Sequence, residues 1–122
     1  MAPGAPFVEV RVADGVARAR LDPAHAAALA AGHFPGDPLL PGAALVGLMA
    51  DVGARLVPGA VLVAVARCAF HARVRPSDAI AIEATAAGPA IAGKTAGAAV
   101  QATIRVAGRA AARALLRFDV PA

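Results

Sequence analysis

The sequence predicts an α+β domain in which a long antiparallel sheet holds one central helix, and three observations carry that reading. Six segments show the two-residue alternation or the β-branched apolar run of strands, bounded by Gly, Pro and Asp. The stretch Ala43 to Val57 is apolar or small on nearly every helical face, the pattern of a helix wrapped by other elements. The order, two strands, a buried helix, then four strands, suits hairpins folding back over that helix.

Taken in order, residues 1–6 form a Pro/Gly-rich lead expected to fray. Phe7 to Val12 alternates apolar and polar, Asp14-Gly15 is a hairpin turn signal, and Val16 to Leu21 alternates again. Asp22 can cap, and Pro23 can open, a short helix in the alanine-rich stretch to Ala31. From Pro41 the residues Leu45, Leu48, Met49, Val52 and Leu56 follow helical spacing, and Pro58-Gly59 stops the helix. Ala60 to Val74 is a long β-branched run, and Asp78 to Ala87 alternates through Ile80, Ile82 and Ala84. Gly97 to Val106 and Arg109 to Val120 pair across Ala107-Gly108. The small residues from Ala86 to Gly97 leave that connection open. A length of 122 residues fits one domain, 1–122.

Composition narrows the function classes. The chain is 59% apolar and 3% aromatic, with no Trp or Tyr, so its core is built from Ala, Val, Leu and Ile. The formal charge of +4 comes from arginines scattered along the chain. Without a contiguous basic run or stacking aromatics, nucleic-acid binding has little support, whereas an acidic partner protein fits a basic surface. The plainer reading of the same arginines is solvated strand positions. The lone Cys68 has no disulfide partner and no ligand-spaced companion, so no metal or cofactor is expected and Cys68 is assigned to packing. No signal-like or membrane-spanning segment is evident, and a soluble, cytoplasmic protein is expected.

One stretch organises the rest: Gly32-His33-Phe34-Pro35-Gly36-Asp37-Pro38-Leu39-Leu40-Pro41-Gly42. Its prolines and glycines make a rigid extended loop that carries one histidine and delivers the chain into the helix. Pro41 suits the first turn, and Asp37 lies too far upstream to cap it. The first N–H groups near Gly42 are therefore expected to be free, at the positive end of a helix dipole, for a carbonyl or an anion.

The Gly-His-Phe-Pro-Gly loop, the Pro-x-x-Pro-Gly helix start and the long apolar helix resemble the β-hydroxyacyl-(acyl carrier protein) dehydratases of the hotdog fold. A second block agrees: Phe70, Val74, Pro76 and Asp78 stand where that family has an aromatic, a valine, a proline and an aspartate before a strand. The likeness spans roughly residues 16 to 120. It implies a hotdog domain, a homodimer with sites across its interface, and a carrier-bound 3-hydroxyacyl thioester as substrate. It also implies a cofactor-independent hydro-lyase forming a trans-2-enoyl thioester in fatty-acid or polyketide-like synthesis. One departure is large, because Gly47 occupies the place of the family's catalytic Glu or Asp.

Within that resemblance His33 is the candidate base for the α-proton, since a neutral imidazole is available near pH 7. The bland alternative is a hydrogen bond within its own loop. The amides of Gly42 and Ala43 are candidates for stabilising the thioester oxygen as it gains charge. Phe34 packs under the loop or lines the acyl pocket with Gly47. The acid has three possible sources. Asp51 lies one turn beyond Gly47, although an i,i+4 pair with Arg55 is its plainer role; a partner chain in a heterodimer could supply a carboxylate; or there is no acid. The rival functions are therefore a hotdog acyl-thioesterase and a non-catalytic thioester-binding subunit. Arg73, Arg75 and Lys94 are surface candidates for carrier docking, Asp37 orders the Pro-Gly turn, and His25 and His71 are read as structural.

Overall fold

The computed structural model describes residues 6–31, 36–89 and 97–119. Its elements are β1 (Phe7–Ala13), β2 (Val16–Leu21), α1 (Pro23–Ala30), α2 (Gly42–Ala54), β3 (Val61–Phe70), β4 (Ile80–Pro89), β5 (Gly97–Val106) and β6 (Arg109–Asp119). The strands make one six-stranded sheet in the order β1-β2-β4-β5-β6-β3, with every neighbouring pair antiparallel. This is the hotdog arrangement expected from the sequence.

Both tight hairpins have φ > 0 at their two central residues, Asp14 and Gly15 (53° and 75°) and Ala107 and Gly108 (52° and 78°). That is the type I′ geometry, whose twist matches the strands it joins. Aspartate tolerates the left-handed region, whereas Ala107 is held there at a cost.

Helix α2 lies on the inner face of the sheet over β4, β5 and β6. Leu45, Leu48, Met49 and Val52 are buried against Ile82, Ile104, Val100, Leu116 and Phe118 in one core. The small residues Ala17, Ala84, Ala102, Ala112 and Ala114, all buried, line the inner face of the strands. Gly53 lets the helix rest close to them: a Cβ there would meet Val100 Cγ1 at 3.3 Å and Leu116 Cδ1 at 3.5 Å.

Several expectations are corrected. Pro41 is the N-cap of α2, and Gly42 is its first helical residue; the Pro41 carbonyl accepts from the N–H groups of Ala44 and Leu45 at 2.9 and 3.1 Å. The helix ends at Ala54 rather than Val57, in turns bonded Leu56 N–H to Gly53 and Val57 N–H to Ala54. Asp22 takes the N-cap position of α1, but its side chain makes no capping bond. The run from Ala60 to Val74 pairs only from Val61 to Phe70, and Cys68 is exposed rather than packed.

The wrapping of α2 is also incomplete. Ala43, Gly47 and Asp51 form an exposed stripe along the helix, with Val46 and Ala50 half-buried beside it. Strand β3, at the sheet edge, leaves Val61, Val63, Val65 and Phe70 about half exposed.

Candidate functional site

The two sequence blocks, some thirty residues apart, meet at the N-terminal end of α2. The N–H of Leu40 donates to the Val74 carbonyl at 2.8 Å, tying the loop before the helix to the segment after β3. Asp37 sits between two guanidinium groups, with Arg75 Nε at 3.5 Å and Arg73 Nη1 at 3.8 Å. The second block braces itself: the Arg75 N–H donates to Asp78 Oδ2 at 2.8 Å, and the Asp78 N–H donates to the Arg75 carbonyl at 3.0 Å. That closed turn contains Pro76, and Val74 beside it is buried. The Pro-x-Asp pattern is thus a turn lock that holds the wall facing the helix start.

Phe70 forms that wall. An added Cβ at Gly42 would lie 3.0 Å from Phe70 Cζ, so the ring comes as close to the helix start as glycine allows. A pocket of about 180 Å³ opens here, lined by Leu39, Leu40, Gly42, Leu45, Phe70 and Arg73 among others. Its walls are apolar apart from the Arg73 head group, and Gly42 offers no side chain to obstruct them. Among the described residues no side chain caps α2, and none accepts from the N–H groups of Gly42 or Ala43. At the positive end of the helix dipole, donors without a partner among the described residues suit an acceptor oxygen, and the Gly42 end borders the apolar pocket.

His33 and Phe34 lie outside the described residues, as does Lys94. Gly42 and Ala43 stand at the first positions of α2, and Gly47 lies one turn further along the helix on its exposed side, with nothing within 4 Å of where its Cβ would be. Asp51 is near half exposed, and its Oδ1 lies 3.8 Å from Arg55 Nη2. At 1.5 Å per residue, Asp51 is displaced from Gly42 by about 13 Å along the axis. The pocket therefore brings Gly42 to Phe70 and Leu45, while Asp51 belongs to a separate surface pair. Phe70 is the lining residue that residue-type reasoning missed as a site group. No local signal marked it, because the ring reaches the helix start from β3, far along the chain.

Among the described residues no helix is long and apolar enough to cross a membrane, and no three His, Cys, Asp or Glu side chains stand together as metal ligands would.

Comparison with known proteins agrees with this fold. A family model described as ApeI-like, ApeI dehydratase, matches residues 9–96. The dehydratase heterocomplex ApeI:P from Xenorhabdus doucetiae is similar in structure with a TM-score of 0.71 at 20% identity, over 98% of this chain and 99% of that one. A hypothetical thioesterase protein with coenzyme A from Streptococcus pneumoniae has a TM-score of 0.70 at 16% identity, over 92% and 86% of the two chains. An uncharacterized protein from Pyrococcus horikoshii has a TM-score of 0.71 at 16% identity, over 95% and 84%. No sequence relative is found among the curated proteins.

Proposed function

Since this chain belongs to the ApeI-like dehydratase family, we propose that it acts on 3-hydroxyacyl thioesters, carried by an acyl carrier protein, and takes part in their dehydration to trans-2-enoyl thioesters. The observation that carries the reading is the start of α2, where Gly42 borders the pocket walled by Phe70 and the Gly42 and Ala43 N–H groups have no partner among the described residues. The thioester oxygen accepts from these amides. As His33 removes the α-proton, charge moves onto that oxygen and the two donors stabilise it. The β-hydroxyl then leaves as water once an acid protonates it.

The acid is proposed to come from a partner chain. A carboxylate on α2 of this chain would have to stand near Gly47, and that residue has no side chain. Asp51 is too far from a substrate whose carbonyl sits at Gly42, because the departing hydroxyl is only two carbons from that carbonyl. Its half-exposed pair with Arg55 also fits a surface role. The exposed stripe Ala43, Gly47, Asp51 leaves room for another subunit. A non-catalytic thioester-binding subunit is the second reading, and Gly47 favours it.

Purified protein given a 3-hydroxyacyl thioester is monitored for enoyl absorbance and for free thiol. Enoyl product that disappears in His33→Ala supports dehydration. Thiol release would instead make the chain a thioesterase. Saturable binding without either product supports the subunit reading, and Gly47→Glu is then expected to gain enoyl product. Failure to bind the thioester at all would overturn the proposal.

A further inference from the structure

The strand register gathers arginines that are dispersed in sequence onto the sheet face that α2 does not cover. One row crosses all six strands as Arg11, Arg18, Glu83, Thr103, Arg113 and Ala69. The next row on one side runs Glu9, Arg20, Ala81 and Arg105; on the other side Thr85, Gln101, Leu115 and Arg67 follow, with Arg117 beyond. The face carries seven arginines against three carboxylates, those of Glu9, Glu83 and, at the end of β6, Asp119, so it holds a positive surplus as large as the +4 of the whole chain. Both glutamates are engaged, Glu83 by Arg18 at 2.9 Å and Glu9 by Arg20 at 3.2 Å. Among the described residues, no carboxylate lies within ion-pair distance of Arg11, Arg67, Arg105, Arg113 or Arg117. Two adjoining shallow grooves of about 530 and 550 Å³ run between these side chains, and Glu83 and Arg105 border both.

We propose that this outer sheet face is a docking surface for an acidic protein. Five unpartnered guanidinium groups, spread over neighbouring strands about 4.8 Å apart, present forked donors that match carboxylates in pairs. A second copy of the same face is excluded as occupant by like-charge repulsion. Nucleic acid fits poorly, because none of the described phenylalanines stands on this face to stack a base, and the two glutamates interrupt the positive rows. A bilayer surface fits poorly too, since Leu115 is the one large apolar side chain in these rows. The small residues Ala69 and Ala81 between the arginines leave the low relief on which a protein surface packs. The occupant is distinct from the acyl carrier: this face lies across the sheet from the Gly42 pocket, so a chain docked on it cannot deliver a thioester there.

Poly-L-glutamate is the probe, with a DNA oligonucleotide of equal charge and phosphatidylglycerol vesicles as competitors. The full chain is expected to bind poly-L-glutamate with an affinity that falls as salt rises. Arg105→Glu/Arg113→Glu is expected to weaken binding by roughly tenfold or more. Arg55→Gln, at the C-terminal end of α2 on the other side of the sheet, should leave it within about twofold. Should the first double variant fail to fold, Arg67→Gln/Arg117→Gln tests the same face by charge removal. Equal affinity of the wild type and a folded outer-face variant would overturn the proposal. Tighter binding to the oligonucleotide or to the vesicles would overturn it as well.

Discussion

Gly42 and Gly47 share one helix and answer to opposite demands. At Gly42 the missing side chain makes room for Phe70, whose ring a Cβ would press at 3.0 Å. Gly42→Ala is expected to push that ring outward and weaken thioester binding several-fold. The stability change should stay within about 1 kcal/mol, because the better helix former offsets the crowding of a half-exposed ring. A ligand titration beside a thermal melt separates the two effects. At Gly47 none of the described residues lies within 4 Å of an added Cβ, so their packing does not require glycine there. Gly47→Ala is expected to stabilise the fold by about 0.5–1 kcal/mol, read as a higher denaturant midpoint at unchanged slope. That no side chain among the described residues caps α2 at Gly42 and Ala43 was legible in the sequence, from a proline-led helix without a capping residue. The approach of Phe70 was not, since the ring comes from a strand far along the chain.

The elements rest on simple rules. The two type I′ hairpins follow from Asp-Gly and Ala-Gly pairs between alternating segments, and both were legible as turns. Helix α2 was legible from its spacing, but its end was not, because Arg55, Leu56 and Val57 continue the composition while the chain turns to reach β3. Within α2, Gly53 sets the height of the helix above β5 and β6. Gly53→Ala is expected to destabilise by about 1–3 kcal/mol, since the methyl would enter a tight gap between Val100, Leu116 and Phe118. Chemical denaturation checks this, and a neutral result would mean that the helix can lift without loss. The contrast with Gly47→Ala in the same helix controls for propensity alone.

At the scale of the molecule, what stands out is how much apolar surface the chain leaves open. The edge strand β3 exposes Val61, Val63, Val65 and Phe70, and β1 at the other edge exposes Val8, Val10 and Val12. Unpaired apolar edges are hazards unless another chain covers them. We propose that β3 pairs with the same strand of a second subunit, like or unlike, next to the Phe70 pocket. Val63→Lys is expected to shift the sedimentation of the purified chain toward the monomer, with little loss of secondary structure. An unchanged assembly would place the contact elsewhere. By itself the sequence determined the strand segments, the central helix, the turns and the helix start without a capping side chain, because periodicity, proline and glycine act within a few residues. Only the tertiary structure decided which side of α2 stays open, that Phe70 walls the Gly42 pocket, and that dispersed arginines share one face. Those outcomes depend on strand order and register, which join residues that no local pattern relates.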